Sequence, residues 1–164
     1  MIQRIIIHKS LLEKFKQEAK KFLPWEYIVA LLGKQIDDEV YIHAFDKIEI
    51  DSWHNSNRKS TIVYWQPEEE IESCHHLKYF GTLHSHPYGS TRPSEDDIKG
   101  FREKYNDDEY KDGEHIGEQL QDTLMGIMLV ERKKKVYQFG LSFYDIDLNP
   151  IEIIITETRK ENRD

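Results

Sequence analysis

The stretch Leu83-His84-Ser85-His86-Pro87, read through to Pro93-Ser94-Glu95-Asp96-Asp97, restricts the fold more than any other part of the chain. Side chains alternate faces along a β-strand, so His84 and His86 share a face. Pro87 has no N–H to give a ladder and ends the strand just past the second histidine. Gly89, Ser90 and Pro93 read as a loop, and Ser94 as the N-cap of a helix with Asp97 in its first turn. The fold must therefore bring a strand end and a helix start together across a short loop. Two imidazoles and a carboxylate are good ligands for zinc, and three protein ligands leave the fourth position to water, as in catalytic sites.

Ser94-Glu95-Asp96-Asp97 is also a capping box, which gives Ser94 and Asp97 a purely structural account. For Ser94 the two roles are compatible. For Asp97 they compete, because one carboxylate oxygen serves both poorly. The expectation is that Asp97 faces the metal while Glu95 and Asp96 complement the helix dipole.

The rest of the chain reads as strands interleaved with helices. Ile2–Ile7 is a short β-branched strand. Ser10 and Glu13 form a capping box that opens a helix carrying Leu11, Leu12, Phe15, Ala19, Phe22 and Leu23, stopped by Pro24. Tyr27–Leu32 is a continuous apolar run closed by Gly33, as in a central strand buried on both faces. Glu26 sits at its mouth, where a carboxylate is costly unless a metal or a donor is close. Lys34–Asp38 reads as a polar turn, Val40–Ile50 and Thr61–Trp65 as strands around a loop, and Pro67 opens a helix running to about Leu77. Tyr79–His86 is the motif strand. Tyr105–Glu118 is an acidic loop, of a length at which loops tend to be functional or disordered. Thr123–Val130 and Val136–Tyr144 are strands joined by a charged tip, Glu131–Lys135. After Pro150 the residues Ile151, Ile153 and Ile155 alternate like a short edge strand, and the charged end from Arg159 should fray.

Composition narrows the function classes. At 164 residues, 38% hydrophobic and 33% charged, the chain suits one globular domain. A net charge of −8 argues against nucleic acid and acidic membrane surfaces as partners and favours a basic surface or peptide. The lone Cys74 excludes an intrachain disulfide and suits a reducing compartment. No stretch approaches the roughly 20 apolar residues of a membrane span, and the N-terminus turns polar too soon for a signal peptide, so a cytoplasmic location is expected.

His84-x-His86, seven residues, Ser94, two residues and Asp97 resemble the JAMM motif of the MPN-domain metalloproteases. The upstream segment Pro24-Trp25-Glu26, leading into an apolar strand that ends in glycine, resembles the family's glutamate segment. The resemblance implies an α/β fold: a single MPN (JAB1/MPN, cytidine-deaminase-like) domain with a mixed central sheet flanked by helices. It covers roughly Ile2–Tyr144, so residues 1–144 are expected to form the catalytic domain and residues 145–164 a C-terminal extension. It implies one zinc per chain on His84, His86 and Asp97, with Glu26 moving protons and Ser94 helping to hold the developing oxyanion. The reaction implied is hydrolysis of the peptide or isopeptide bond after the Gly-Gly tail of a ubiquitin-like protein. The stand-alone length resembles prokaryotic members, including those of ubiquitination-like antiphage systems. Processing of a sulfur-carrier protein, or a non-catalytic scaffold, are the alternatives within the family.

Overall fold

The computed structural model describes residues 1–49, 59–65, 77–106 and 123–157. The helix expected after Pro67, all but the end of the loop before Thr61, most of the acidic stretch after Tyr105 and the charged C-terminal end lie outside the described residues.

Strand β1 (Arg4–His8) runs directly into helix α1 (Lys9–Phe22). The helix starts earlier than the capping box at Ser10 implied. Its N-cap is His8, whose Nδ1 accepts the Ser10 N–H at 3.1 Å and lies 2.6 Å from the Ser10 hydroxyl. An imidazole acceptor thus replaces the usual Ser or Asp oxygen. Leu11, Leu12, Phe15 and Ala19 form the buried stripe of α1. Phe15 packs against Tyr27 and Phe45, with ring centroids 5.3 and 6.1 Å apart. Full burial of such a side chain contributes roughly 1.5–3 kcal/mol.

The strands β2 (Ile28–Ile36), β3 (Glu39–Glu49), β4 (Lys59–Trp65), β5 (Lys78–His86), β6 (Leu124–Lys133), β7 (Val136–Tyr144) and β8 (Glu152–Thr156) complete one mixed sheet. Its order is β7-β6-β5-β2-β3-β1-β8, with β4 on β3 beyond the reach of β1. β1 and β8 run parallel to each other, as do β1 and β3 and β5 and β6, while the other pairs are antiparallel. Gly33 does not end β2. It sits at a bulge against β3, where a Cβ would collide with the Tyr41 carbonyl oxygen, and the turn follows at Asp37. Likewise the charged tip after β6 is only Lys134 and Lys135, with Lys134 at φ 60. Glu131, Arg132 and Lys133 belong to the strand.

The two faces of the sheet have different covers. Leu83 of β5 joins Phe15, Val29 and Leu31 in the core under α1. On the other face, Phe101 of α2 (Glu95–Asn106) packs with Met125, Ile127 and Tyr144. His84 pairs in register with Ile127, so the alternation of β5 turns His84 and His86 toward the α2 side. Gly81 sets that parity. At φ 112 it forms a bulge in β5 where Ala30 pairs with Thr82 and Leu32 with Tyr79. Among the described residues, no helix is long and apolar enough to cross a membrane.

Candidate metal centre

Four side chains from three segments converge at the C-terminal end of β5. His84 and His86 come from the strand, Asp97 from the first turn of α2, and Glu26 from the link between α1 and β2. One ligand atom from each lies within 4.8 Å of every other. The two Nε2 atoms are 3.2 Å apart, Asp97 Oδ1 is 3.3 Å from His84 Nε2, and Asp97 Oδ2 is 2.9 Å from His86 Nε2. Tetrahedral zinc with ligands at about 2.0–2.1 Å needs donor–donor edges of about 3.3–3.4 Å. The three-residue set matches that spacing, and two imidazole lone pairs turned on each other are tolerable only around a cation or a shared proton. The residues fit a divalent zinc ion. Glu26 Oε1 stands farther off, at 3.9 Å from both Nε2 atoms, on a side chain that is 53% exposed.

Each of these groups is held by a neighbour. His86 Nδ1 donates to the Ser90 carbonyl at 2.8 Å, which fixes the tautomer that leaves Nε2 free to coordinate. Asp97 and Ser94 hold one another. The Ser94 N–H donates to Asp97 Oδ2 at 2.9 Å, and the Asp97 N–H donates to Ser94 Oγ at 3.0 Å. The capping and ligand roles of Asp97 therefore do not exclude one another, contrary to the sequence expectation. A carboxylate offers about four lone-pair sites, and its two oxygens divide between the two histidines while one also caps the helix. The bond to Ser94 uses only an acceptor position of its hydroxyl, so the O–H remains a donor.

Sequence reasoning missed three residues that shape the site: Ser85, Thr91 and Tyr144. Ser85 points away from the histidines and is 2% exposed. Its Oγ accepts the Tyr27 N–H at 2.8 Å, and its N–H donates to the Tyr27 carbonyl at 2.8 Å. This clasp places Glu26 beside the histidines. The Tyr144 hydroxyl donates to the Thr91 carbonyl at 2.8 Å, and Thr91 Oγ1 lies 2.7 Å from Ser142 Oγ. No local pattern marks these residues, since their partners lie more than fifty positions away in sequence.

The electrostatics follow from this packing. Burial alone would raise the Asp97 carboxyl, but its hydrogen bonds to His84 and His86 and from the Ser94 N–H prevail and hold it well below the carboxylate range. The bond to Asp97 raises the His86 imidazole above its ordinary value, with burial opposing and the Ser90 carbonyl adding to the rise. A cleft of about 520 Å³ opens beside the cluster, lined among others by Trp25, Glu26, His86, Tyr88 and Ser94. Trp25 and Tyr88 are 74% and 75% exposed at its rim. A cluster able to hold a metal, a more exposed carboxylate 3.9 Å from both imidazoles and an open cleft together suit hydrolysis.

A family model described as prokaryotic homologs of the JAB domain matches residues 8–138. Among solved structures, the chain is similar to the solution structure of protein DSY2949 from Desulfitobacterium hafniense, at 16% identity and a TM-score of 0.54, covering 96% of each chain. It is also similar to the crystal structure of AF2198, a JAB1/MPN domain protein from Archaeoglobus fulgidus, at 20% identity and a TM-score of 0.50. That match covers 92% of this chain and 98% of the other. No curated protein matches the chain.

Proposed function

The chain belongs to the family of prokaryotic homologs of the JAB domain, and from that premise we propose that it is a zinc-dependent protease acting after the C-terminal Gly-Gly of a ubiquitin-like protein. The observation that carries the reading is the complete convergent set of His84, His86 and Asp97, with Glu26 beside it at 3.9 Å from both imidazoles. A non-catalytic scaffold needs no such set.

His84, His86 and Asp97 hold the metal. Bound there, zinc supplies a Lewis acid and lowers the pKa of a water to about 7. Glu26 takes a proton from the attacking water through Oε1 and returns it to the amine as the C–N bond breaks, first base and then acid. Its exposure keeps it in reach of solvent and substrate alike. The Ser94 O–H donates to the carbonyl oxygen as negative charge develops. Asp97, kept ionised by its hydrogen bonds, keeps its charge available for coordination down to acidic pH. The cleft between Trp25 and Tyr88 accepts an extended tail, for which glycine offers the least side-chain bulk. A net charge of −8 favours a modifier or target with a basic surface.

The test is cleavage of a ubiquitin-like protein fused through its C-terminal Gly-Gly to a reporter, with the zinc-loaded protein and with Glu26→Gln. The expected product ends at the second glycine and is absent with Glu26→Gln. Binding of zinc and of such fusions without any cleavage would replace the protease reading with that of a binding module.

A further inference from the structure

The loop from Pro87 to Pro93 carries the Ser90 carbonyl that orients His86, yet Tyr88, Gly89 and Ser90 are all exposed. Within the loop the Arg92 N–H donates to Ser90 Oγ at 3.1 Å, and Thr91 ties the loop to strand β7. Thr91 Oγ1 meets Ser142 Oγ at 2.7 Å, and the Thr91 carbonyl accepts the Tyr144 hydroxyl at 2.8 Å. A Cβ on Gly140 would stand 3.2 Å from the Thr91 methyl, so glycine leaves that methyl room against the strand. Gly140, Ser142 and Tyr144 alternate along β7 and therefore present one continuous strip to Thr91. Tyr144, 8% exposed, also shares a buried cluster with Phe101 of α2. Phe101 lies four residues beyond Asp97, on the same side of the helix. Tyr144 thus holds the histidine loop through its hydroxyl and belongs to the cluster that receives the aspartate helix.

We propose that Tyr144 is a positioning residue for the metal centre: its hydroxyl sets the Thr91 backbone, which presents the Ser90 carbonyl to His86 and holds the imidazole in the orientation that coordination requires. Ser142 shares the task through Thr91. The inference rests on the zinc reading of the site, but it concerns residues that touch neither metal nor substrate. Groups that orient a metal-bound histidine from outside the ligand set typically change metal affinity 10–100-fold when removed.

The test is Tyr144→Phe, which deletes the hydroxyl and keeps the ring. Zinc affinity is measured by competition with a chromophoric chelator, and the ring nitrogens of His86 are followed by ¹⁵N NMR in the metal-free protein. Tyr137→Phe, on the same strand but away from the loop, is the control. Tyr144→Phe should weaken zinc binding by about tenfold and shift His86 toward the Nε2–H tautomer, while Tyr137→Phe changes neither. A purely structural role would lower the melting temperature and leave both readouts alone. If Tyr144→Phe fails to fold, Ser142→Ala should show the same two changes to a smaller degree. Wild-type protein that binds no zinc overturns the metal reading, and the NMR signal still decides the positioning role of Tyr144. Affinity within twofold of wild type, with His86 unchanged in the variant that folds, overturns that role itself.

Discussion

Ser85→Ala is the sharpest probe of how the sheet serves the chemistry. Ser85 and Tyr27 are 2% and 3% exposed, and the Tyr27 N–H has the Ser85 Oγ as its acceptor at 2.8 Å. Alanine removes that acceptor without admitting water, so a buried N–H is left unsatisfied at a cost of about 1–3 kcal/mol. With a urea dependence of about 2 kcal/mol per molar, the unfolding midpoint should fall by about 0.5–1.5 M. The return bond from the Ser85 N–H to the Tyr27 carbonyl persists, so the strands stay paired while the backbone just after Glu26 loosens. A displacement of about 1 Å in a catalytic group can cost about 100-fold, so kcat should drop about 10–100-fold. Zinc affinity should stay within about threefold of wild type, because His84, His86 and Asp97 keep their places. Urea titration, kcat on a Gly-Gly fusion and zinc competition separate these effects. An unchanged midpoint together with unchanged kcat would refute the clasp. A loss of zinc equal to the loss of activity would move its role from Glu26 to the histidines.

Other outcomes follow from the same geometry. His84→Ala should lose both zinc and activity, measured by metal content and turnover, since it removes one corner of the ligand set. Gly81→Ala should destabilise by about 2 kcal/mol or more, read from thermal unfolding, because φ 112 disfavours a side chain and its Cβ would collide with the Leu124 carbonyl oxygen. In the metal-free protein, the Asp97 pKa lies below its ordinary 3.8, so its stabilisation is complete above that value and is lost as pH falls toward the depressed one. The His86 pKa lies above its ordinary 6.5, so its stabilisation is complete below that value and is lost as pH rises through the elevated one. Urea unfolding against pH should therefore show the pair's full effect between about pH 4 and 6.5, and zinc affinity should rise with pH above that window as the proton on His86 ceases to compete.

The convergence of His84, His86 and Asp97 was legible in sequence because each of its parts obeys a local rule. His84 and His86 share a face by strand alternation, and Ser94 and Asp97 share a helix start by cap spacing. The family model and the mixed sheet agree with the fold expected from those residues. The structure departs from the sequence expectation where a residue has two local readings. Ser10 matched a capping box, but the imidazole of His8 took its N–H first. Gly33 looked like a strand terminator, but the close approach of the Tyr41 carbonyl requires glycine inside the strand. Cap and cluster compete for Asp97 in the sequence, but its two oxygens let it accept the Ser94 N–H and still face both histidines. Ser85, Thr91 and Tyr144 left no local trace. Their contribution is a hydrogen bond to backbone brought near by sheet pairing, and nothing in the neighbouring sequence signals such a contact.

The central claim is that His84, His86 and Asp97 bind the metal and Glu26 works on protons from outside its ligand set. Zinc content per chain, measured by inductively coupled plasma mass spectrometry on wild type and Glu26→Ala side by side, tests it most directly. The account predicts about one zinc per chain in both proteins. Zinc in the wild type but not in Glu26→Ala would make Glu26 a ligand and contradict the division of roles.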